Sequence, residues 1–414
     1  MNREDFPMIA VADSMKADCC LDPRDNGDRE GWIYFDNAAT MQKPRQVLKA
    51  VDEFYRRAYA SPLRGLYDLS VAVTEEVRRA REKVAEFISA DLPEEIIFTS
   101  GATEGLNMAA MWCAGLTSDD EIIVSRGEHH SNLLPWLRIA EATGAHLKMV
   151  DCRPDGTVDE VDYLKALTPN TKVVAVNLVG NVLGGKNCIK NLFKQAHNRG
   201  EVLCVLDAAQ AVAHMKIDVR ELNADIMVFS GHKMGAPMGI GVLYGKKKVL
   251  ERVSPVQMGG EMVEQVSLEK KGLMVKFAEA PEKFEAGTQN VGGIIGLAAA
   301  IDYLTGVGFD KIASYERDLL DYATERLGEV AEIYGAGNGI VAFNITGIHP
   351  HDTAQFLSGE GIAVRAGWHC AQPLLEWLKI GPVVRMSLSF YNTREEIDKM
   401  AKILTRLKQE MSNV

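Results

Sequence analysis

The sequence lacks any apolar run long enough for a membrane span. Its most apolar stretches, such as Gly293-Ile-Ile-Gly-Leu-Ala-Ala-Ala300, meet a charge at Asp302 well before they could cross a bilayer. The opening residues Met1 to Asp5 are acidic and carry no apolar core, so neither a secretory signal nor an Arg-rich transit peptide is expected. There is also no basic surplus. Forty-six Lys and Arg face 57 Asp and Glu, a net charge of -11 with a pI near 5.4, so nothing is left over to neutralise phosphates, and neither nucleic acid nor an acidic membrane surface is expected as a partner. Seven cysteines are an odd number, and none forms a C-x-x-C pair or other zinc-finger spacing, so no metal site is expected and a reduced compartment fits. Internal repeats are absent. These absences leave a cytoplasmic protein whose partners are small molecules and other proteins.

What is present is a chain of 414 residues, 47% hydrophobic and 25% charged, long enough for a large core and two domains. Between about residues 95 and 245, short Val- and Ile-rich runs recur: Ile96 to Phe98, Glu121 to Val124, Leu147 to Val150, Val173 to Val176, Val202 to Leu206, Ile226 to Phe229 and Gly241 to Tyr244. Segments of helical periodicity, such as Leu133 to Thr143 and Asn187 to Arg199, separate most of them. The alternation predicts an α/β fold with a mostly parallel, seven-stranded sheet covered on both faces. Cys204, inside such a run, reads as a small buried hydrophobe. From about residue 300 the pattern changes to amphipathic helices, Phe309 to Val330 and Thr393 to Gln409, around Gly339 to Asn344, which predicts a smaller α+β domain. We assign residues 33–296 to the large domain, and 1–32 with 297–414 to the small one. The polar stretch 8–31, with Cys19-Cys20, reads as a flexible arm.

Ligands of such sheets bind beyond the carboxyl ends of the strands. The residues there are Ser100-Gly-Ala-Thr103, Glu128-His-His130, Asn177 to Asn181, Asp207-Ala-Ala-Gln210 and Ser230-Gly-His-Lys233, which gather at one rim the groups that hold a phosphorylated pyridine, pyridoxal 5'-phosphate (PLP). Lys233 follows a buried strand, and a lysine amine can engage the PLP aldehyde and later act as a base. An ionised Asp207 at a strand end needs a cation, which the protonated ring nitrogen supplies; the alternative is a helix cap. Gln210 is placed to hydrogen-bond the ring hydroxyl, and His129 to stack on the ring and move protons. Thr103, after Gly101-Ala102 at the start of a helix, suits a phosphate, with Ser230 and His232 as further contacts. Arg385, a charge within the apolar run Val384 to Phe390, needs an anion: either a substrate carboxylate or an internal acid. Cys370 lies in a loop between Gly367 and Pro373, taken as flexible and as made electropositive by Arg365 and His369, a setting that favours a thiolate.

Eight ordered segments then carry a resemblance: Tyr34 to Thr40, Thr99 to Gly105, Glu128 to Asn132, Asn181 to Gly184, Asp207 to Gln210, Ser230 to Lys233, Phe284 to Asn290 and Arg365 to Pro373. From Ile33 onward the chain resembles the class V aminotransferase family of fold-type-I, aspartate aminotransferase-like PLP enzymes, and within it the SUF-type cysteine desulfurases, a group that includes selenocysteine lyase-like enzymes. The resemblance implies that Lys233 is the PLP lysine, that Asp207 pairs with the ring nitrogen and that Gln210 binds the ring oxygen. It also implies His129 on the ring and Ala102, Thr103, Ser230 and His232 around the phosphate. Thr288 then reaches the phosphate of the neighbouring subunit of a homodimer. Asn181 and Arg385 bind the substrate carboxylate, Ala38 and Ala39 line the pocket, and Cys370 takes sulfur from L-cysteine as a persulfide, releasing L-alanine. The short Cys370 loop implies a limited swing and a dedicated protein acceptor of the SUF iron–sulfur assembly system. Selenocysteine lyase, cysteine sulfinate desulfinase and other class V activities are the alternatives. The chain departs from the family pattern in Leu63-Arg-Gly-Leu-Tyr67, which has no histidine beside its Arg-Gly, in Trp368 before His369, and in a longer segment before Tyr34.

Overall fold

In a computed structural model, residues 5–6, 32–270 and 272–412 are described; Cys19-Cys20 and the arm 8–31 lie outside them. The first strand, β1 (Ile33–Tyr34), is short. It is followed by β2 (Ile96–Thr99), β3 (Glu121–Ser125), β4 (His146–Val150), β5 (Thr171–Asn177), β6 (Leu203–Asp207), β7 (Ile226–Ser230) and β8 (Gly241–Gly245). β2 to β8 form one seven-stranded sheet in the order β2-β8-β7-β6-β5-β3-β4. Only the two pairings of β8 are antiparallel; β7-β6, β6-β5, β5-β3 and β3-β4 are parallel.

Burial explains why these strands read as unbroken apolar runs. Successive residues enter opposite cores: Ile123, Val174, Val176, Cys204, Leu206, Met227 and Phe229 pack on one face, and Ile122, Val124, Val173, Ala175, Val205, Ile226 and Val228 on the other. The helix Val291–Val307 joins the first core through Ile294, Leu297, Ala300, Ile301 and Leu304, so the division placed at residue 296 falls inside a helix. The helices Ala102–Met111 and Leu134–Thr143 cover the other face through Leu106, Ala109, Trp136 and Ile139. No single helix among the described residues is long and apolar enough to cross a membrane.

A hairpin of β9 (Val263–Glu269) and β10 (Gly272–Phe277) projects with Leu268 85% and Leu273 67% exposed. Beyond it, β11 (Glu332–Gly337), β12 (Ile340–Asn344), β13 (Ile362–Ala363), β14 (Arg365–Gly367) and β15 (Val383–Ser387) complete the strands. Four of these form a second sheet in the order β11-β12-β15-β14, packed against the helices Phe309–Gly328 and Arg394–Ser412. β1 pairs in parallel with β13, and Ile33 and Phe35 pack into this second core. That docking brings the segment after β1 beside β14 and β15, above the carboxyl ends of β5 to β7.

Candidate active site

Those strand ends open into a cavity of about 320 Å³. It is lined by Ala38, Ala39, Ala102, Thr103, His129, Asn181, Asp207, Gln210, Ser230, His232, Lys233, Cys370 and Arg385, and also by Ser131, Asn177, Val179, Ala209, Arg365 and His369. Thr288, on the loop from Glu285 to Asn290, is not among the lining residues.

Lys233 sits on the 3-10 turn Gly231–Met234 that follows β7. The preceding carbonyl, His232 O, is fixed by Met41 N at 3.0 Å and Thr40 Oγ1 at 3.1 Å. Burial lowers Lys233 to about 8; Asp207 opposes the shift and Arg385 reinforces it. Asp207 ends β6, where Ala209 N donates to its Oδ1 at 2.9 Å, and burial raises it above the usual carboxylate range. Among the described residues no cationic side chain lies within ion-pair distance of it, so a buried acid faces the cavity without a charged partner. Gln210 is anchored by Nε2, which donates to Ala38 O at 3.0 Å.

His129 is fixed from below. Ser131 N donates to its Nδ1 at 3.1 Å, so the proton of the neutral ring resides on Nε2, and burial holds the group down at about 4. Next to it, Glu128 is fully buried and accepts from Ser125 Oγ at 2.5 Å, Asn132 Nδ2 at 2.7 Å, Asn177 N at 3.1 Å and Asn177 Nδ2 at 3.0 Å. A carboxylate satisfies four converging donors; a carboxamide cannot. Glu128→Gln turns an NH2 against one of them, and urea unfolding is expected to show a stability loss of about 1–3 kcal/mol.

Another end of the cavity is built from the amino terminus of the Ala102–Met111 helix. Ala102 N donates to Ser230 Oγ at 2.8 Å, and Thr103 Oγ1 bonds Ser131 Oγ at 2.8 Å. His232 Nδ1 is buried with no hydrogen-bond partner, and burial lowers this imidazole to about 4. At the opposite wall Arg385 is buried on β15. Its Nη1 donates to Asn181 O at 2.7 Å, its Nη2 reaches Asp36 Oδ1 at 3.4 Å, and its Nε has no partner. Asp36 is held more closely by Arg365, whose Nη2 lies 2.9 Å from Oδ2. The internal acid anticipated for Arg385 is therefore Asp36, but it leaves part of the guanidinium free to bind.

The cysteine loop differs from its sequence expectation. It is pinned: Asn181 Nδ2 donates to His369 O at 2.7 Å, His130 N to Cys370 O at 2.8 Å, and Ala371 N to Trp368 O at 2.9 Å. His369 contributes no charge either. It is buried, and desolvation with repulsion from Arg385 lowers it to about 3, so the positive charge around the loop comes from Arg365, Arg385 and Lys233, each of which interacts with Cys370. His369 and Cys370 both have left-handed backbones, with φ of 51° and 55°, a conformation that costs non-glycine residues about 1–2 kcal/mol each. Cys370 is exposed at the cavity mouth.

A half-buried lysine at the carboxyl edge of a parallel sheet, facing a buried acid and a partly free arginine, gives the chain the site of an α/β enzyme. The chain belongs to the class-V aminotransferase family, whose model matches residues 33–400. It is 46% identical over 388 residues to a probable cysteine desulfurase of Halalkalibacterium halodurans, covering 92% of this chain and 94% of that protein. It is also 44% identical over 381 residues to a cysteine desulfurase of Salmonella typhimurium, covering 90% and 93%. Among solved structures, the apo cysteine desulfurase of Thermococcus onnurineus superposes with a TM-score of 0.89 at 37% identity, over 99% of this chain and 97% of that one. The cysteine desulfurase CsdA of Escherichia coli, in an S-sulfonic acid form, gives 0.87 at 35%, over 99% and 98%.

Proposed function

We propose that this protein is a PLP-dependent cysteine desulfurase that converts L-cysteine to L-alanine and carries the sulfur as a persulfide on Cys370. The observation that supports this most directly is a single cavity lined by both Lys233 and Cys370. The residues present fit PLP. Asp207 offers a buried carboxyl that lacks a cation, the match for a protonated ring nitrogen. His232 offers an unpartnered buried nitrogen next to a helix N-terminus, the match for a phosphate. In this reading Lys233, Asp207, Gln210, His129 and Asn181 hold the ring and its aldehyde, while Ala102, Thr103, Ser230 and His232 surround the phosphate. When bound, PLP engages an amine through its aldehyde and withdraws electrons from the carbon bearing that amine.

The remaining work falls to the chain. Arg385, oriented by Asn181, binds the L-cysteine carboxylate through its free donors, and Ala38 and Ala39 bound the space for a small side chain. The Lys233 amine removes the Cα proton and later returns one, with neutral His129 as a proton donor beside it. The Cys370 thiolate attacks the substrate sulfur; the new S–S bond forms as the C–S bond breaks, so L-cysteine plus an enzyme thiol become L-alanine plus an enzyme persulfide. The sulfur then passes to a protein acceptor of the SUF system in the cytoplasm. A homodimer is supported by the exposed apolar residues Leu268 and Leu273 along the strands of the β9-β10 hairpin and by Thr288, which stands outside its own cavity and in this reading serves the phosphate of the other copy.

Incubation of the holoenzyme with L-cysteine and a reductant tests the proposal: alanine and sulfide are expected in equal amounts, whereas pyruvate with ammonia overturns it. The pH dependence of cofactor uptake tests Lys233. An ammonium cannot attack an aldehyde, so the rate at which apo-protein combines with PLP is expected to rise with pH and level off above about 8. An unperturbed lysine would keep gaining reactivity to about pH 10.4.

A further inference from the structure

We propose that His369 is the positioning residue that latches Cys370 in its cavity-facing conformation, a role that rests on the reading of Cys370 as the sulfur-accepting nucleophile. Two consecutive non-glycine residues in the left-handed region, His369 and Cys370, do not persist unless their surroundings hold them. The main chain provides two ties, Asn181 Nδ2 to His369 O at 2.7 Å and His130 N to Cys370 O at 2.8 Å. The third is the His369 side chain. It folds back under the loop, and its Nε2 lies 3.0 Å from Val383 O at the start of β15. A carbonyl only accepts, so Nε2 carries the proton, and the buried Nδ1 is bare and without a partner.

This single bond joins the nucleophile to the strand that carries Arg385 two residues on. β14, which leads into the loop, pairs with the same strand, with Gly367 opposite Val383. The loop is thus tied at Gly367 and at His369 to the element that holds the proposed substrate-binding arginine, and the distance between thiol and substrate is set by that frame. Neither His369 nor its bond takes part in the reaction; the imidazole acts through Cys370.

The test compares His369→Leu, which fills similar space without a donor, with His369→Gln, whose Nε2 stands the same number of bonds from Cα as that of histidine. In the leucine variant, kcat for alanine formation is expected to fall about tenfold or more, with KM for L-cysteine within about twofold of wild type, because misplacement of a reacting group costs the chemical step rather than binding. Peptide-resolved alkylation of the protein by iodoacetamide is expected to be several-fold faster at Cys370 and unchanged at Cys188, also exposed, which reports an intact fold. The glutamine variant is expected to recover both properties. Should the leucine variant not fold, His369→Met replaces it. A leucine or methionine variant with wild-type kcat and wild-type Cys370 alkylation overturns the latch, as does a glutamine variant no better than leucine. The alkylation arm needs no turnover, so it reports on the latch even if the wild-type protein forms no alanine from L-cysteine, an outcome that refutes the desulfurase reading instead.

Discussion

Alanine formation from L-cysteine is expected to fall by at least about 10³-fold in Cys370→Ser, with little change in KM. Serine keeps the size and exposure of the side chain at the cavity mouth, but its hydroxyl is not ionised near neutral pH and cannot displace carbon from sulfur. Arg385, Asn181 and Lys233 are untouched, so substrate binding and proton removal remain. The loss therefore belongs to sulfur transfer alone. Steady-state alanine assays check this, and residual activity above about a tenth of wild type contradicts the assignment. The same variant separates the alternative chemistries: a selenium or sulfinate group can leave without a thiol acceptor, so activity on those substrates survives where activity on cysteine does not.

Lys233→Ala is expected to lower turnover by about 10²–10⁴-fold, the usual contribution of a positioned acid–base group, and to weaken cofactor retention as well. Lys233 is half-buried, and among the described residues no other side-chain amine lines the cavity. Lys43 is close in space but engaged outside the cavity: its Nζ donates to Met41 O at 2.6 Å, Thr40 Oγ1 at 3.1 Å and His232 O at 3.4 Å, and it does not line the cavity. An added small primary amine is expected to restore part of the rate in Lys233→Ala by entering the vacated space. Wild-type turnover in this variant would mean that the Cα proton is removed elsewhere, with His129 the first place to look.

The large sheet was legible because both its faces are buried, which turns each strand into an apolar run and leaves its carboxyl end marked by the first polar residues. Asp207 and Lys233 stand out for that reason. β1, β13 and β14 are two or three residues long, too short for any pattern, and the β9-β10 hairpin presents apolar residues such as Leu268 and Leu273 to solvent, where alternation has no core to report. Asp36 was missed for a related reason. It meets Arg385 across 349 positions of sequence only because β1 docks beside β13, and nothing local announces that pairing. The Tyr-Phe-Asp motif was the available signal, with no indication of its target. His369 was read from its neighbours in sequence as a source of positive charge, but the fold removes it from water and repulsion from Arg385 keeps it neutral; its role as a tie to Val383 depends on tertiary contact alone. Glu128 shows the converse: its motif was visible and two of its donors, Ser125 and Asn132, are local, while the other two come from Asn177 at the end of β5.

Mass mapping of the protein after one turnover with L-cysteine, without reductant, bears most directly on the claim that Lys233 and Cys370 serve one reaction in one cavity. The account predicts one additional sulfur atom on the Cys370 peptide for each alanine released, in wild-type protein and not in Lys233→Ala. Alanine released while Cys370 stays unmodified, or sulfur found on Cys188 or another cysteine in its place, contradicts it.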